Sequence, residues 1–310
     1  MSMVEPYIFR YTVFTPTYNR AHTLSRVYES LKNQTFQNFE WLIVDDGSTD
    51  RTDELVKDWI KSSPFLIRYV VLEHSGKPAA VMAGIAQARG EHFLILDSDD
   101  SCVPQALERF DFHWQEIDDS LRSEFIGVTA LCRNQDGELV GERFPRDTLD
   151  SDAIEIKYRY RLQGEKWGFL RTKVLRDQPW PLAGANEFVP EGVWWTKLAK
   201  QYKTRYVNEV LRIYHMEYDD DRLMNQSDPR RYAAGHVLWH QTILNEEIGW
   251  FRYKPLAFIR SAVQYARFSW HANDGVGTQW AGLSNMFSRG LWFICLPVAM
   301  AVTARDHLRF

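Results

Sequence analysis

Short runs of β-branched and aromatic residues at 11–15, 41–44, 67–72 and 93–96 alternate with stretches at 24–31, 55–60 and 79–88 whose apolar residues recur at helical spacing. That order predicts β-α-β-α units, hence an α/β fold built on a parallel sheet with helices on both faces. Ligands of such sheets bind beyond the carboxyl ends of the strands. There the chain places its polar residues: the four runs are followed by "TPTYNR", "DDGSTD", "EHSGK" and "DSDD". The pattern is looser after residue 104. It predicts a helix over 104–117 opened by Pro104, a strand over 125–132, a tight turn at "NQDGE", helices over 151–164 and 193–202, and a strand over 204–214. From about residue 230 the chain reads as helices rich in Trp, Tyr, Phe and Arg, with no internal repeat and no low-complexity segment.

Composition narrows the class. The chain has 310 residues, 45% of them apolar and 25% charged, with twelve Trp, which excludes a disordered polymer and leaves room for a full core. A formal charge of -4 argues against a nucleic-acid partner. The charge is uneven: from Trp250 onward seven basic residues face two acidic ones, a net of +5 on a body near -9. Cys102, Cys132 and Cys295 are too few and too widely spaced for a disulfide framework or a zinc site, which points to a reducing compartment. The start "MSMVEPYIFRYTV" has no basic segment followed by an apolar core, so no secretory signal is expected. The apolar run 291–304 contains Pro297 and falls short of the roughly 20 residues needed to span a bilayer.

The acidic strand ends carry the chemistry. Asp97 and Asp99 flank Ser98, so on an extended segment both carboxylates project to one side, where their repulsion calls for a cation; hard oxygen ligands suit Mn2+ or Mg2+. The plain alternative is a solvated turn before a helix. Asp45 and Asp46 precede Gly47, and a carboxylate there can accept a hydrogen from a nucleobase; Ser48, Thr49 or Asp50 serves as the helix cap. In "TPTYNR" the Thr15 backbone and the Tyr18 ring are candidates for the base and Arg20 for the phosphates, or all three are ordinary loop residues. Lys77 follows Gly76 at a helix start, where amides and a cation can meet a diphosphate, without the spacing of a Walker loop.

In combination and order, "FTPTYNR", "WLIVDDGSTDRT", "HSGKPAAVMAGIAQARGEHFLILDSDD" and, more distantly, "EFVPEGVWWTKLAKQYKTRYVNEVLRIYH" resemble an inverting glycosyltransferase of family 2 with the GT-A fold, over roughly residues 8–215. The resemblance implies a GT-A catalytic domain over 1–225, with a nucleotide-binding half (1–103) and an acceptor-side half (104–225), followed by a helical, basic and aromatic region over 226–310. It implies that Thr15, Pro16, Tyr18, Asp46 and Lys77 line the nucleotide pocket, with Arg20, Asp45 and Ser98 beside them. Asp97 would face the ribose or donor sugar, and Asp99 would ligate the metal, with Asp97 and His215 as further metal candidates.

Inverting transfer needs a base for the acceptor hydroxyl. The family takes it from a Glu-Asp pair at a helix start; here "EFVPEGVWW" has Gly192 in the Asp position, leaving Glu191, with Glu187 as rival. The family's Arg-Asn pair after the Lys is also missing, replaced by Val81, Met82 and Ala83. The implied activity is metal-dependent transfer of a hexose or N-acetylhexosamine from a nucleotide-sugar, UDP-linked by expectation, to a glycan or lipid-linked acceptor in cell-surface polysaccharide synthesis. Two other classes use similar parts, a nucleotidyltransferase and a noncatalytic nucleotide- or glycan-binding protein. The expected location is cytoplasmic, peripheral on the inner face of the membrane, with 250–310 on an anionic surface and the mixed basic and aromatic segment 253–270 as the contact helix.

Overall fold

The computed structural model describes residues 7–180, 189–215 and 232–309. By contacts they form two compact units. One takes in the chain through Ser151, then Leu162–Trp180 and the strand that follows Tyr202. The other takes in Asp152–Arg161, the helix opening at Glu191 and the C-terminal helices.

In the first unit β1 (Phe9–Thr17), β2 (Phe39–Asp45), β3 (Leu66–Val71) and β4 (Gly90–Ile95) pair in parallel in the order β3-β2-β1-β4. All seven residues of β2 are buried, as for a strand covered on both faces, which is why its sequence reads as a run and not as an alternation. Helices α1 (Leu24–Lys32), α2 (Thr52–Ser62) and α3 (Lys77–Gln87) make the crossovers. Leu24, Val27, Tyr28 and Leu31 of α1 are buried, and Tyr28 stacks on Trp59 of α2 with ring centroids 4.6 Å apart.

A charge inside this sheet core is compensated. Glu40 of β2 is fully buried, yet it accepts hydrogen bonds from Thr12 Oγ1 (2.7 Å), the Arg89 amide (2.7 Å) and Arg68 Nη1 (3.1 Å), so its carboxylate is paired.

The remaining strands make the sheet mixed. After β5 (Ser101–Cys102) and α4 (Ala106–Gln115) come β6 (Phe125–Asn134), β7 (Thr148–Ser151), the short α5 (Ala153–Glu155), β8 (Lys166–Arg171), α6 (Thr172–Asp177), α7 (Glu191–Ala199) and β9 (Lys203–Tyr214). The sheet continues β4-β8-β6-β9-β5, with β7 on β9; β8 is antiparallel to both β4 and β6. Trp167 of β8 is buried, its Nε1 donating to the Ile95 carbonyl at 2.5 Å.

The helix expected over 151–164 is much shorter. Ser151 closes β7; Asp152 then caps α5 by accepting the Ile154 and Glu155 amides at 2.8 Å, and one wider helical turn over Ile156–Tyr160 stops at Arg161, whose φ is 57°. A left-handed residue cannot propagate the helix, and this overrides the apolar spacing.

The second unit contains α7, α8 (Ala233–Glu246), α9 (Pro255–His271), α10 (Val276–Gly282) and α11 (Met286–Arg309). Leu244, Ala262, Tyr265, Ala266, Leu283, Trp292 and Ala299 form its core. Glu247 is buried at the end of α8 and accepts from Thr196 Oγ1 (2.5 Å), Tyr158 OH (2.5 Å) and Lys157 Nζ (2.7 Å), tying three segments to one carboxylate. The apolar run read as fourteen residues lies inside a 24-residue helix, and Met286–Asp306 is long and apolar enough to cross a membrane by length and composition. The hydroxyls of Ser288 and Thr303, buried in this helix, are satisfied by the Leu244 and Ala299 carbonyls.

Candidate active site at the carboxyl ends of the strands

Strand register brings the polar turns together. Thr17 pairs with Asp45 and Asp45 with Val71, so β1, β2 and β3 end level, and beyond them the Asp46 amide donates to the Thr17 carbonyl at 2.9 Å. Asn19, at φ 54°, stitches the first two turns together: its Oδ1 accepts the Thr49 amide at 2.8 Å and its own amide donates to Ser48 Oγ at 2.8 Å. Asp50 serves α2 by accepting the Thr52 amide (3.0 Å) and hydroxyl (2.6 Å).

The two acids of the second turn have separate tasks. Asp45 is buried and saturated: Oδ1 accepts the Ser48 amide at 2.8 Å and Oδ2 the Tyr69 hydroxyl at 2.5 Å. Burial, with Asp45 as hydrogen-bond partner, raises the Tyr69 phenol above its ordinary pKa, so the proton stays on Tyr69. Asp46 clamps the third turn, accepting the Ser75 and Gly76 amides at 2.8 Å, one on each carboxylate oxygen. Gly76 can present its amide here because its φ of 89° is open to glycine. His74 Nδ1 lies 2.9 Å from Asp46 Oδ2, and the imidazole stacks on Tyr18 with centroids 4.4 Å apart and planes at 25°.

The next residue carries the clamp into the fourth turn. Lys77, first in α3, places Nζ 2.8 Å from Asp97 Oδ1, while Arg212 Nη2 of β9 meets Asp97 Oδ2 at 3.0 Å. Arg212 also holds Asp100, through Nε at 2.8 Å and through Nη2, and the His215 amide donates to Asp100 Oδ1 at 2.8 Å. Burial acts to raise Asp97, but Lys77 and Arg212 outweigh it and hold the carboxyl below its ordinary range. At the more enclosed Asp100 burial wins and pushes the carboxyl up to about 6 against the pull of Arg212.

Asp99 stands apart. Its carbonyl accepts from Arg26 Nη1 at 3.2 Å, and among the described residues no hydrogen bond or ion pair engages its carboxylate.

Other expected residues fall into different settings. Thr15 is buried and its hydroxyl accepts Trp41 Nε1 at 2.9 Å; Pro16 is a buried residue of β1, and Ser98 is buried between Asp97 and Asp99. Arg20 is half-buried in the first turn, where its carbonyl caps the start of α1 by accepting the Leu24 amide at 3.0 Å. His215 Nε2 is 3.2 Å from Ser101 Oγ. Glu191 is the exposed first residue of α7 in the second unit, and Glu187 lies outside the described residues. A Cβ at Gly192 would lie 2.7 Å from Trp239 Cη2, so the indole fills the space a larger residue would take there.

Sequence reasoning passed over Arg212, His74, Arg26 and Tyr69. Arg212 had a signal: three acids in four positions call for a cation, and Arg212 stands between apolar neighbours in "VLRIYH".

A divalent cation fits this site in one way. Among the described residues no group of three His, Cys, Asp or Glu could hold a metal, and both Asp97 oxygens are engaged by cations. Among the described residues of this turn, Asp99 has the carboxylate free of protein partners, and it would hold a hard cation, which would supply positive charge for a diphosphate.

A parallel sheet with acidic and glycine-bearing turns at its carboxyl edge defines a nucleotide-binding α/β domain. Residues 12–121 match the model described as Glycosyl transferase family 2, so this part of the chain is similar to family 2 glycosyltransferases. Over 169 residues it is 32% identical to an uncharacterised glycosyltransferase of Haemophilus influenzae, a match covering 54% of this chain and 62% of that one, less than two thirds of the relative's length. Over 243 residues it is 24% identical to GalNAc(5)-diNAcBac-PP-undecaprenol β-1,3-glucosyltransferase of Campylobacter jejuni, covering 76% of this chain and 74% of the relative. The crystal structure of S. aureus TarS 1-349 in complex with UDP-GlcNAc has the same fold, with a TM-score of 0.60 at 19% identity over 94% of this chain and 80% of the TarS 1-349 chain.

Proposed function

We propose that the protein transfers a sugar, with inversion, from a UDP-linked donor to a glycan or lipid-linked acceptor in cell-surface polysaccharide synthesis. The observation that carries this is the continuous path from an aromatic face with a carboxylate (Tyr18, Asp46), through the Gly76 amide and Lys77, to the acids of the fourth turn, with the Asp99 carboxylate unengaged among the described residues. A base, a diphosphate and a metal-bridged leaving group need those parts in that order. The glucosyltransferase relative, named for an undecaprenol-linked substrate, supports the acceptor class.

In this reading Tyr18 stacks on the base and Asp46 accepts its imide hydrogen. Lys77 exchanges Asp97 for the diphosphate, and Arg212 keeps Asp97 and Asp100 ionised and in place. Asp99 would hold the cation, which as a Lewis acid stabilises the departing diphosphate. Glu191 takes the acceptor proton as the acceptor oxygen bonds to the anomeric carbon and the bond from that carbon to the diphosphate breaks.

A thermal-shift panel of UDP, GDP, CDP, TDP and ATP, with and without Mn2+, tests the donor site. Stabilisation by UDP that requires Mn2+ and is lost in Asp99→Ala is the expected result; ligand at about 100 times its Kd adds roughly 2.7 kcal/mol. No shift with any diphosphate would leave the acidic turns as structural elements and favour a noncatalytic protein.

Membrane contact belongs to the same reading, though through a different helix from the one expected. The apolar side of α9 is occupied: Phe258, Ala262, Tyr265 and Ala266 are core residues. The outer side of α11 is apolar and open, with Phe287, Phe293, Ile294, Val298 and Met300 all more than half exposed. Arg260 and Arg305 are exposed on the same unit, and the tail's positive charge suits an anionic bilayer. Phe293→Ser/Ile294→Ser is expected to abolish flotation with anionic liposomes at low salt. Wild-type protein that stays in the soluble fraction, or that forms a dimer buried on this face, would overturn the assignment.

A further inference from the structure

His74 stands in the place that the donor's base requires. Its ring lies on Tyr18 at 4.4 Å between centroids, with planes 25° from parallel, and its Nδ1 is 2.9 Å from Asp46 Oδ2 and 3.1 Å from the Asp46 carbonyl. A pyrimidine base bound by Tyr18 and Asp46 would be a flat heterocycle on the same aromatic face, directing an N–H at the same carboxylate. Ring and base cannot both hold those positions.

We infer that His74 is a self-docked gate on the nucleobase site: it mimics the base in the free protein and must swing out before the donor binds. The inference rests on the proposed donor site and adds its regulation. The surroundings fit a gate. The His74 backbone is fixed, because the two residues after it donate their amides to Asp46 and the Gly47 turn packs on its amide, with a Cβ at Gly47 placed 3.2 Å from His74 N. Its side chain is 59% exposed, so rotation about χ1 releases the ring to solvent without moving the loop. Only the free-out fraction binds nucleotide, and the apparent Kd is weakened by that fraction. An incoming base therefore has to better an imidazole at both stacking and hydrogen bonding, which makes His74 a selectivity element as well.

Two substitutions separate a gate from a platform. His74→Ala removes the competitor and is expected to tighten UDP binding, measured by calorimetry with Mn2+, by about three- to tenfold. His74→Phe keeps a ring that can lie on Tyr18 but loses the contact with Asp46; by occupying the aromatic face it is expected to weaken UDP binding relative to His74→Ala. A base sandwiched between Tyr18 and His74 would reverse this order, with Ala weaker than wild type and Phe equal or tighter, and would overturn the gate. Tyr18→Ala is the control on the underlying site. UDP binding by wild type that Tyr18→Ala weakens, with no gain in His74→Ala, sinks the gate alone; no UDP binding by wild type, or binding indifferent to Tyr18→Ala, sinks the donor-site reading and the gate with it.

Discussion

Arg212→Met is expected to lower the stability of the first unit by about 3–5 kcal/mol, the usual cost of removing one member of a buried ion pair while leaving the other. Arg212 is 5% exposed in β9 and its guanidinium spans Asp97 and Asp100. Methionine fills much of the volume of the Arg stem, so the loss reports charge more than a cavity. Lys77 remains to hold one oxygen of Asp97, but among the described residues no second cation reaches the Asp100 carboxylate.

The effect has a pH signature with a definite sign. Asp100 already sits at about 6 in the folded protein, above the ordinary carboxylate value of about 3.9, and loss of Arg212 moves it higher. The folded state then binds a proton that the unfolded chain does not, so stability falls as pH rises through the raised value and recovers as pH drops below it. Asp97 acts in the opposite sense. Its depressed carboxyl contributes stability above about pH 4 that is lost as pH falls through its folded value. Urea melts of Arg212→Met should therefore show a larger deficit at pH 8 than at pH 5.5, and Asp100→Asn in the same background should remove that slope. Wild-type stability at both pH values would show that the guanidinium does not hold the strand ends together.

Glu191→Gln is expected to reduce kcat by about 10²-fold to 10⁴-fold, the range for loss of a general base, with UDP affinity within about twofold of wild type. Glutamine keeps size and hydrogen bonding but cannot accept the proton. Glu191 is exposed at the start of α7, and a Cβ at the neighbouring Gly192 would meet Trp239, so Glu191 is the carboxylate at this helix start. A first-turn Glu also interacts with the helix dipole, worth about 0.3–1 kcal/mol, so a small drop in melting temperature is compatible with either role. Turnover separates them. Near-normal kcat in Glu191→Gln would remove it from the mechanism, whereas loss of kcat together with donor affinity would point to a folding defect.

Much of this architecture was legible before any coordinates. The four parallel strands and three crossover helices lie where runs and helical spacing place them, because a strand buried on both faces and a helix buried on one must show those patterns to fold at all. The acidic and glycine-bearing turns follow from the same logic, since the ends of parallel strands gather at one edge whatever lies between them. The sequence by itself determined the four parallel strands and the acidic, glycine-bearing turns at their carboxyl ends.

Which carboxylate does what was settled only in three dimensions. Asp45 and Asp46 are neighbours of identical type, yet one is locked on Tyr69 and the other clamps a loop thirty residues away. Asp97, Asp99 and Asp100 are separated by the reach of Lys77 and Arg212, which are 20 and 112–115 residues distant. The short helix after β7, the packing of α9 and the open face of α11 were likewise undecidable from local pattern. Hydrophobic periodicity reports that a side chain has an apolar face, whereas its partner, whether core, bilayer or the opposite charge on a distant strand, is set by tertiary packing that the local sequence does not encode.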